Sequence, residues 1–222
     1  MMLYIISTPI GNSNDIGFRA RSLFEELDVL LCEDTRRTGM LLNVLGVKNK
    51  PKLASFYDEV EKEKTGMVLG WLEEGKAVGL VTDGGTPVVS DPGWHLVKMC
   101  RQKRIPITAI PGPSAVINAL VLSGLPAGRF CFLGFLPKKT GERIRVLEKY
   151  REVEGAKVIY ESPFRLNKLL VDIERVYGEK TEVSICREMT KKFEEVAIGN
   201  LAKIKAEFEG KKVKGEVVIV FV

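Results

Sequence analysis

Short apolar runs of strand length alternate with segments of helical period through most of the chain, and this alternation restricts the fold more than any other feature. It excludes a helical bundle or a β-sandwich and implies an α/β architecture. The strand-length runs fall at residues 3–7, 29–32, 52–55, 77–81, 107–109, 130–134, 157–160, 181–187, 194–198 and 216–221. Between two of them, Leu166, Leu169, Leu170, Ile173 and Val176 recur at three- and four-residue steps, which places them on one stripe of a helix. Gly178 follows as a stop. In the last third, three strands succeed one another with little helix between them, so antiparallel pairing is expected there. Ile110-Pro111-Gly112-Pro113 interrupts both periods. It divides the chain into an α/β domain at 1–111 with a mostly parallel sheet and a second at 112–222 with a mixed sheet, leaving a cleft between them.

A chain of 222 residues buries an ordinary core without disulfides. Cys32, Cys100, Cys131 and Cys186 are widely spaced, with no Cys-x-x-Cys and no nearby histidine, so buried reduced thiols are expected and no metal. His95 is the only histidine. Catalysis by several histidines is therefore excluded, and general-base duty falls to a carboxylate, a lysine or solvent. No run approaches the length of a membrane span, which points to a cytoplasmic protein. Gly70 to Ala77 nearly matches a phosphate-binding loop, but Ala77 has no hydroxyl and the segment leads from helix into strand. The net charge of +5 permits an anionic partner. Lys138, Lys139, Arg143, Arg145, Lys149 and Arg151, opposed only by Glu142 and Glu148, form either a solvated helix face or a polyanion-binding surface.

The segment Thr82-Asp83-Gly84-Gly85-Thr86-Pro87-Val88-Val89-Ser90-Asp91-Pro92-Gly93 follows a strand and precedes a helix. It lies at the carboxyl end of that strand, where open α/β sheets bind ligands. Its glycines permit close backbone approach, and Pro87 and Pro92 stiffen it. Four further strand ends carry polar motifs. In Glu33-Asp34-Thr35-Arg36-Arg37, Asp34 is equally suited to capping a helix and to chemistry, and the arginines suit a phosphate. Pro111-Gly112-Pro113-Ser114-Ala115 leads into a helix, with Ser114 as N-cap, ligand contact or both. Tyr160-Glu161-Ser162-Pro163 and Arg187-Glu188-Met189-Thr190-Lys191-Lys192 complete the set.

Together with Thr8-Pro9-Ile10-Gly11-Asn12, these motifs resemble, in order and along nearly the full chain, the bacterial 16S rRNA cytidine 2′-O-ribose methyltransferases of the tetrapyrrole methylase superfamily. The resemblance implies two α/β domains with S-adenosylmethionine in the cleft between them, a homodimer, and a cytidine at the decoding centre of the small ribosomal subunit as substrate. It implies that Pro9, Ile10, Gly11, Asp83, Gly84, Gly85, Thr86, Pro87, Ser114, Ala115 and Tyr160 surround the cofactor. Arg36, Glu161, Arg187 and Lys191 would lie nearer the RNA, where the basic segment with Lys138, Lys139 and Arg143 adds contacts. A ribose hydroxyl must lose its proton, and Glu161 and Asp34, then Lys191, are the candidate bases. Two rivals are a tetrapyrrole (precorrin-type) methyltransferase, opposed by the Glu-Asp-Thr-Arg and Tyr-Glu-Ser-Pro motifs, and a non-catalytic rRNA-binding module, opposed by the intact cofactor loop. Relatives often have Asp-Ala-Gly in place of Asp83-Gly84-Gly85 and a histidine in place of Phe164. Many also continue past the last strand into a small helical extension.

Overall fold

The computed structural model describes residues 2–222. The chain divides into two compact units, Met1–Ser114 and Ala115–Val222.

In the first unit, β1 (Met2–Ile6), β2 (Val29–Cys32), β3 (Lys52–Ser55), β4 (Ala77–Leu80) and β5 (Ile107–Ile110) form a five-stranded sheet in the order β3-β2-β4-β1-β5. Every pairing is parallel. The connections run through α1 (Phe18–Leu23), α2 (Thr35–Val44), α3 (Asp58–Glu73) and α4 (Trp94–Gln102). All four residues of β2 are buried, as expected of a strand covered on both faces. Successive side chains alternate between the faces. Leu31 joins Leu3, Phe56, Leu72 and Leu96 in one core cluster, and its neighbour Leu30 joins Ile6, Phe24 and Leu42 in the other. Gly79 is required for this packing, since a Cβ there would lie 2.6 Å from the Leu27 side chain and 2.9 Å from that of Leu30. Beyond β2 the chain turns toward β3, and beyond β4 it turns the other way along the sheet toward β5. Diverging connections of this kind open a crevice at the carboxyl ends of β2 and β4.

The second unit begins with α5 (Ala115–Ser123) and continues through β6 (Phe130–Phe135), α6 (Thr140–Lys149), β7 (Ala156–Glu161), α7 (Leu166–Tyr177), β8 (Glu182–Arg187), β9 (Glu195–Asn200), α8 (Leu201–Phe208) and β10 (Val217–Phe221). Its sheet runs β6-β7-β10-β8-β9. Only β6 with β7 is parallel, and the remaining pairs are antiparallel. The α7 stripe of Leu166, Leu169, Leu170, Ile173 and Val176 is wholly buried, and Gly178 ends the helix. The expectation of little helix between the last strands is corrected by α8. Asn200 caps it by accepting the Lys203 amide at 2.9 Å, and Leu201, Ile204 and Phe208 bury one face.

Arg143 requires a second correction. Its side chain is 2% exposed and paired with Asp172 on α7. Its Nε donates to Asp172 Oδ2 at 2.6 Å, and Nη1 donates to the carbonyls of Pro137 and Lys138. It ties α6 to α7 and is no RNA contact, whereas Lys138 and Lys139 are exposed. Among the described residues, no helix is long and apolar enough to cross a membrane.

Candidate active site

Three loops of the first unit are locked together at the carboxyl ends of β4, β1 and β5. Thr8 and Gly85 exchange backbone hydrogen bonds of 2.9 and 3.0 Å. The Thr8 hydroxyl donates to the Thr82 carbonyl at 3.1 Å. Thr86 Oγ1 lies 3.2 Å from the Pro113 carbonyl and 2.9 Å from Ser7 Oγ. A carbonyl only accepts, so Thr86 donates to Pro113 and Ser7 donates to Thr86. A Cβ on Gly84 would approach the Pro9 carbonyl to 3.3 Å, which sets Pro9 and Ile10 against the Gly84-Gly85 backbone. The structure thus brings together Pro9, Ile10, Gly84, Gly85 and Thr86, five of the residues singled out in the sequence. Gly11 is exposed beside them and Pro87 is buried. Ser114 ends this unit, and Ala115 opens α5 of the next.

The loop after β4 is strained. Val88 (φ 78°) and Ser90 (φ 65°) occupy the left-handed region, which is costly for a β-branched residue. It is held by Val88 N donating to the Pro92 carbonyl at 3.2 Å and by a contact that the sequence did not reveal. Thr82 Oγ1 lies 3.0 Å from Glu33 Oε2 and 2.9 Å from Asp91 Oδ1. One hydroxyl carries one hydrogen. Both contacts are hydrogen bonds only when one carboxyl is protonated and donates to Thr82. Asp91 suits that role, because burial pushes its pKa up to about 6, with the Thr82 hydrogen bond opposing and the charges of Glu33, Asp58 and Asp83 adding to the rise. Asp91 was legible only as the second carboxylate of the loop.

Asp83 accepts from Arg37 Nη1 at 2.7 Å and from the Asp34 amide at 3.3 Å, through different oxygens. Each oxygen keeps a further lone pair for an incoming hydroxyl or ammonium. The glycine wall and this spare acceptor capacity fit the polar end of a cofactor such as S-adenosylmethionine. Asp34 is the N-cap of α2, accepting the Arg36 amide at 2.8 Å and the Arg36 guanidinium at 2.8 and 3.2 Å. Those bonds to Arg36 hold its carboxyl well below the usual carboxylate range. Asp34 is therefore a cap and a poor base.

The second unit holds the remaining motif residues. Glu161 is buried, and its Oε1 accepts the Ser162 amide and Arg165 Nε, each at 2.7 Å. It fixes the turn after β7 through Oε1, and its Oε2 is buried with no hydrogen-bond partner among the described residues. Tyr160 stacks edge-on with Phe132 and Phe135, with ring centroids 4.8 and 5.5 Å apart. Arg187 Nε donates to Glu195 at 2.8 Å. Lys191 reaches Glu188 at 2.9 Å and Glu216 at 2.8 Å. Burial lowers its pKa, but the bonds to the two carboxylates outweigh that and raise it, so Lys191 is a fixed cation and no base.

Residues 2–205 match the family model of the tetrapyrrole (corrin/porphyrin) methylases. The chain belongs to the tetrapyrrole methylase family. It is 41% identical over 221 residues to "Ribosomal RNA small subunit methyltransferase I" of Pasteurella multocida, covering 99% of this chain and 78% of that protein. The protein of the same name from Thermotoga maritima is 43% identical over 218 residues, covering 98% and 96%. Among solved tetrapyrrole methylases, a cobalt precorrin-4 methyltransferase superposes with a TM-score of 0.72 at 18% identity, covering 99% of this chain and 94% of that one. A uroporphyrin-III C-methyltransferase from Thermus thermophilus complexed with S-adenyl homocysteine gives 0.67 at 18%, covering 99% and 97%. These likenesses establish the α/β tetrapyrrole methylase fold expected from the sequence. Among the described residues, no group of His, Cys, Asp or Glu is arranged to hold a metal ion.

Proposed function

We propose that this methyltransferase of the tetrapyrrole methylase family transfers a methyl group from S-adenosylmethionine to the 2′ oxygen of a cytidine ribose in 16S rRNA, at the decoding centre of the small ribosomal subunit. The observation that carries the reading is identity of 41% and 43%, over nearly the whole chain, with proteins named as small-subunit rRNA methyltransferases. The cofactor supplies an electrophilic methyl group and leaves as a neutral thioether. The chain's task is alignment and exclusion of water. Pro9, Ile10, Gly11, Asp83, Gly84, Gly85, Thr86 and Pro87, with Ser114, Ala115 and Tyr160, contact the cofactor. Arg36, Arg187, Lys138 and Lys139 face RNA phosphates. Asp34 is held by Arg36, Lys191 by two carboxylates, and Glu161 is buried against Arg165, so the reading passes the ribose proton to solvent. The enzyme works as a cytoplasmic homodimer.

The test is incubation with labelled S-adenosylmethionine and, separately, 30S subunits, free 16S rRNA and a tetrapyrrole. Label recovered as 2′-O-methylcytidine from either RNA supports the reading. Label only in the tetrapyrrole overturns it, and cofactor binding without transfer favours the rRNA-binding module.

A further inference from the structure

The second unit contains a groove of about 490 Å³ that begins at Arg187 and runs on past residues the proposed function leaves without a role. One wall is the turn at 188–194 between β8 and β9, and the other is the segment at 209–216 between α8 and β10. The walls are joined. Arg187 Nη1 donates to the Lys214 carbonyl at 3.1 Å, and the Glu216 amide donates to Glu188 Oε1 at 3.0 Å. Gly215 sits so close that a Cβ there would lie 2.3 Å from Glu188 Cδ. The turn holds two non-glycine residues in the left-handed region, Glu188 (φ 51°) and Thr190 (φ 65°), and these contacts keep them there.

The charges of the groove are unevenly matched. Its acidic lining residues are Glu188 and Glu195, and both are engaged, by Lys191 at 2.9 Å and Arg187 at 2.8 Å. Lys211, Lys212 and Lys214 also line it and are exposed. Lys211 reaches a carboxylate, Glu207, only at 3.8 Å. Phe193 is 66% exposed, with the Lys192 ammonium 5.6 Å from its ring centroid. Lysines along a groove, with one aromatic face open to solvent, are the combination by which proteins hold single-stranded nucleic acid. The cations follow the phosphates, and the ring stacks on a base. An acidic polypeptide would engage the lysines but gain nothing from Phe193.

We propose that this groove is a binding track for single-stranded RNA, with Lys211, Lys212 and Lys214 on the phosphates and Phe193 stacked on a base. The proposal rests on the reading of rRNA as substrate and adds an anchoring surface on the second unit.

The test is the affinity of the full chain for a labelled single-stranded RNA of roughly 12 nucleotides as a function of salt. The double variant Lys212→Glu, Lys214→Glu is expected to bind more than about tenfold more weakly, with a log–log salt slope shallower by about two. Phe193→Ala is expected to weaken binding by about fivefold to a hundredfold with the slope unchanged, and Phe193→Trp to restore it. Unchanged S-adenosylmethionine affinity in each variant shows that the fold is intact. Wild-type RNA binding by the double variant and by Phe193→Ala overturns the proposal. So does competition by polyglutamate together with an indifferent Phe193→Ala, which would assign the groove to an acidic polypeptide. Methylation of rRNA by variants that bind it normally removes the groove and leaves the proposed function standing. RNA binding of the expected form without any rRNA methylation does the reverse.

Discussion

The strand ends of the two units are stabilised by different chemistry. In the first unit, beside the Arg36–Asp34 and Arg37–Asp83 pairs, the hydroxyls of Ser7, Thr8, Thr82 and Thr86 make hydrogen bonds to one another, to carbonyls and to the carboxyls of Glu33 and Asp91. In the second, Glu161, Asp172, Glu188 and Glu195 are each matched by an arginine or lysine. A network of hydroxyls has few hydrogens to distribute, so it is sensitive to protons. Ion pairs at a surface are sensitive to salt instead. The first arrangement fixes backbone walls, and the second ties neighbouring side chains to one another.

The sharpest way to break this contrast lies in the second unit. Asp172→Ala strands the buried Arg143 guanidinium and should destabilise the protein by about 3–5 kcal/mol, measured by urea denaturation. A loss under 1 kcal/mol would mean that Arg143 finds water. In the first unit, Thr82→Val removes the hydroxyl between Glu33 and Asp91 while keeping its shape. It should cost about 1–3 kcal/mol and weaken cofactor binding, read by calorimetry. Unchanged affinity would detach the network from the loop's function.

The third experiment is a pH profile. The Asp91 pKa is raised from 3.8 to about 6, so the folded state holds this proton more tightly than the unfolded chain. Its contribution is complete below 3.8 and is lost as pH rises through about 6. Urea midpoints across this window should fall for the wild type and flatten for Asp91→Asn, and parallel profiles would refute the shared proton. The smallest effect belongs to Lys191→Ala, which removes two ion pairs that are partly exposed. A loss of about 1 kcal/mol or less is expected, shrinking in high salt, and salt-independent destabilisation would show packing instead.

The fold was largely legible because buried strands and one-sided helices write their periods into the sequence. Val29–Cys32 and Lys52–Ser55 are strands with the bounds read from the sequence, and Asp34 is the cap suggested by its place before α2. The short α8 escaped notice because eight residues barely complete two turns and their apolar stripe holds only Leu201, Ile204 and Phe208. The site was legible as motifs but not as interactions. Arg143 reads as one more cation in a basic run until Asp172, 29 residues away, buries it. The contact between Thr82 and Asp91 depends on left-handed backbone at Val88 and Ser90, which neither residue type announces. Glu161 shows the same limit, since Arg165, four residues later at the start of α7, decides whether it is a base or an anchor.

The Ser7–Thr86–Pro113 relay also sets an order of events during synthesis. Its three members are 79 and 27 residues apart, so Ser7 can meet Thr86 only after β4 is made, and Thr86 can meet the Pro113 carbonyl only after β5 and the turn beyond it. Distant closures of this kind come late in folding, because loop entropy must be overcome before the bonds form. The loop after β4 therefore gains its final shape only once nearly the whole first unit exists. A nascent chain halted before Pro113 would carry the glycine wall without the carbonyl to which Thr86 fastens it.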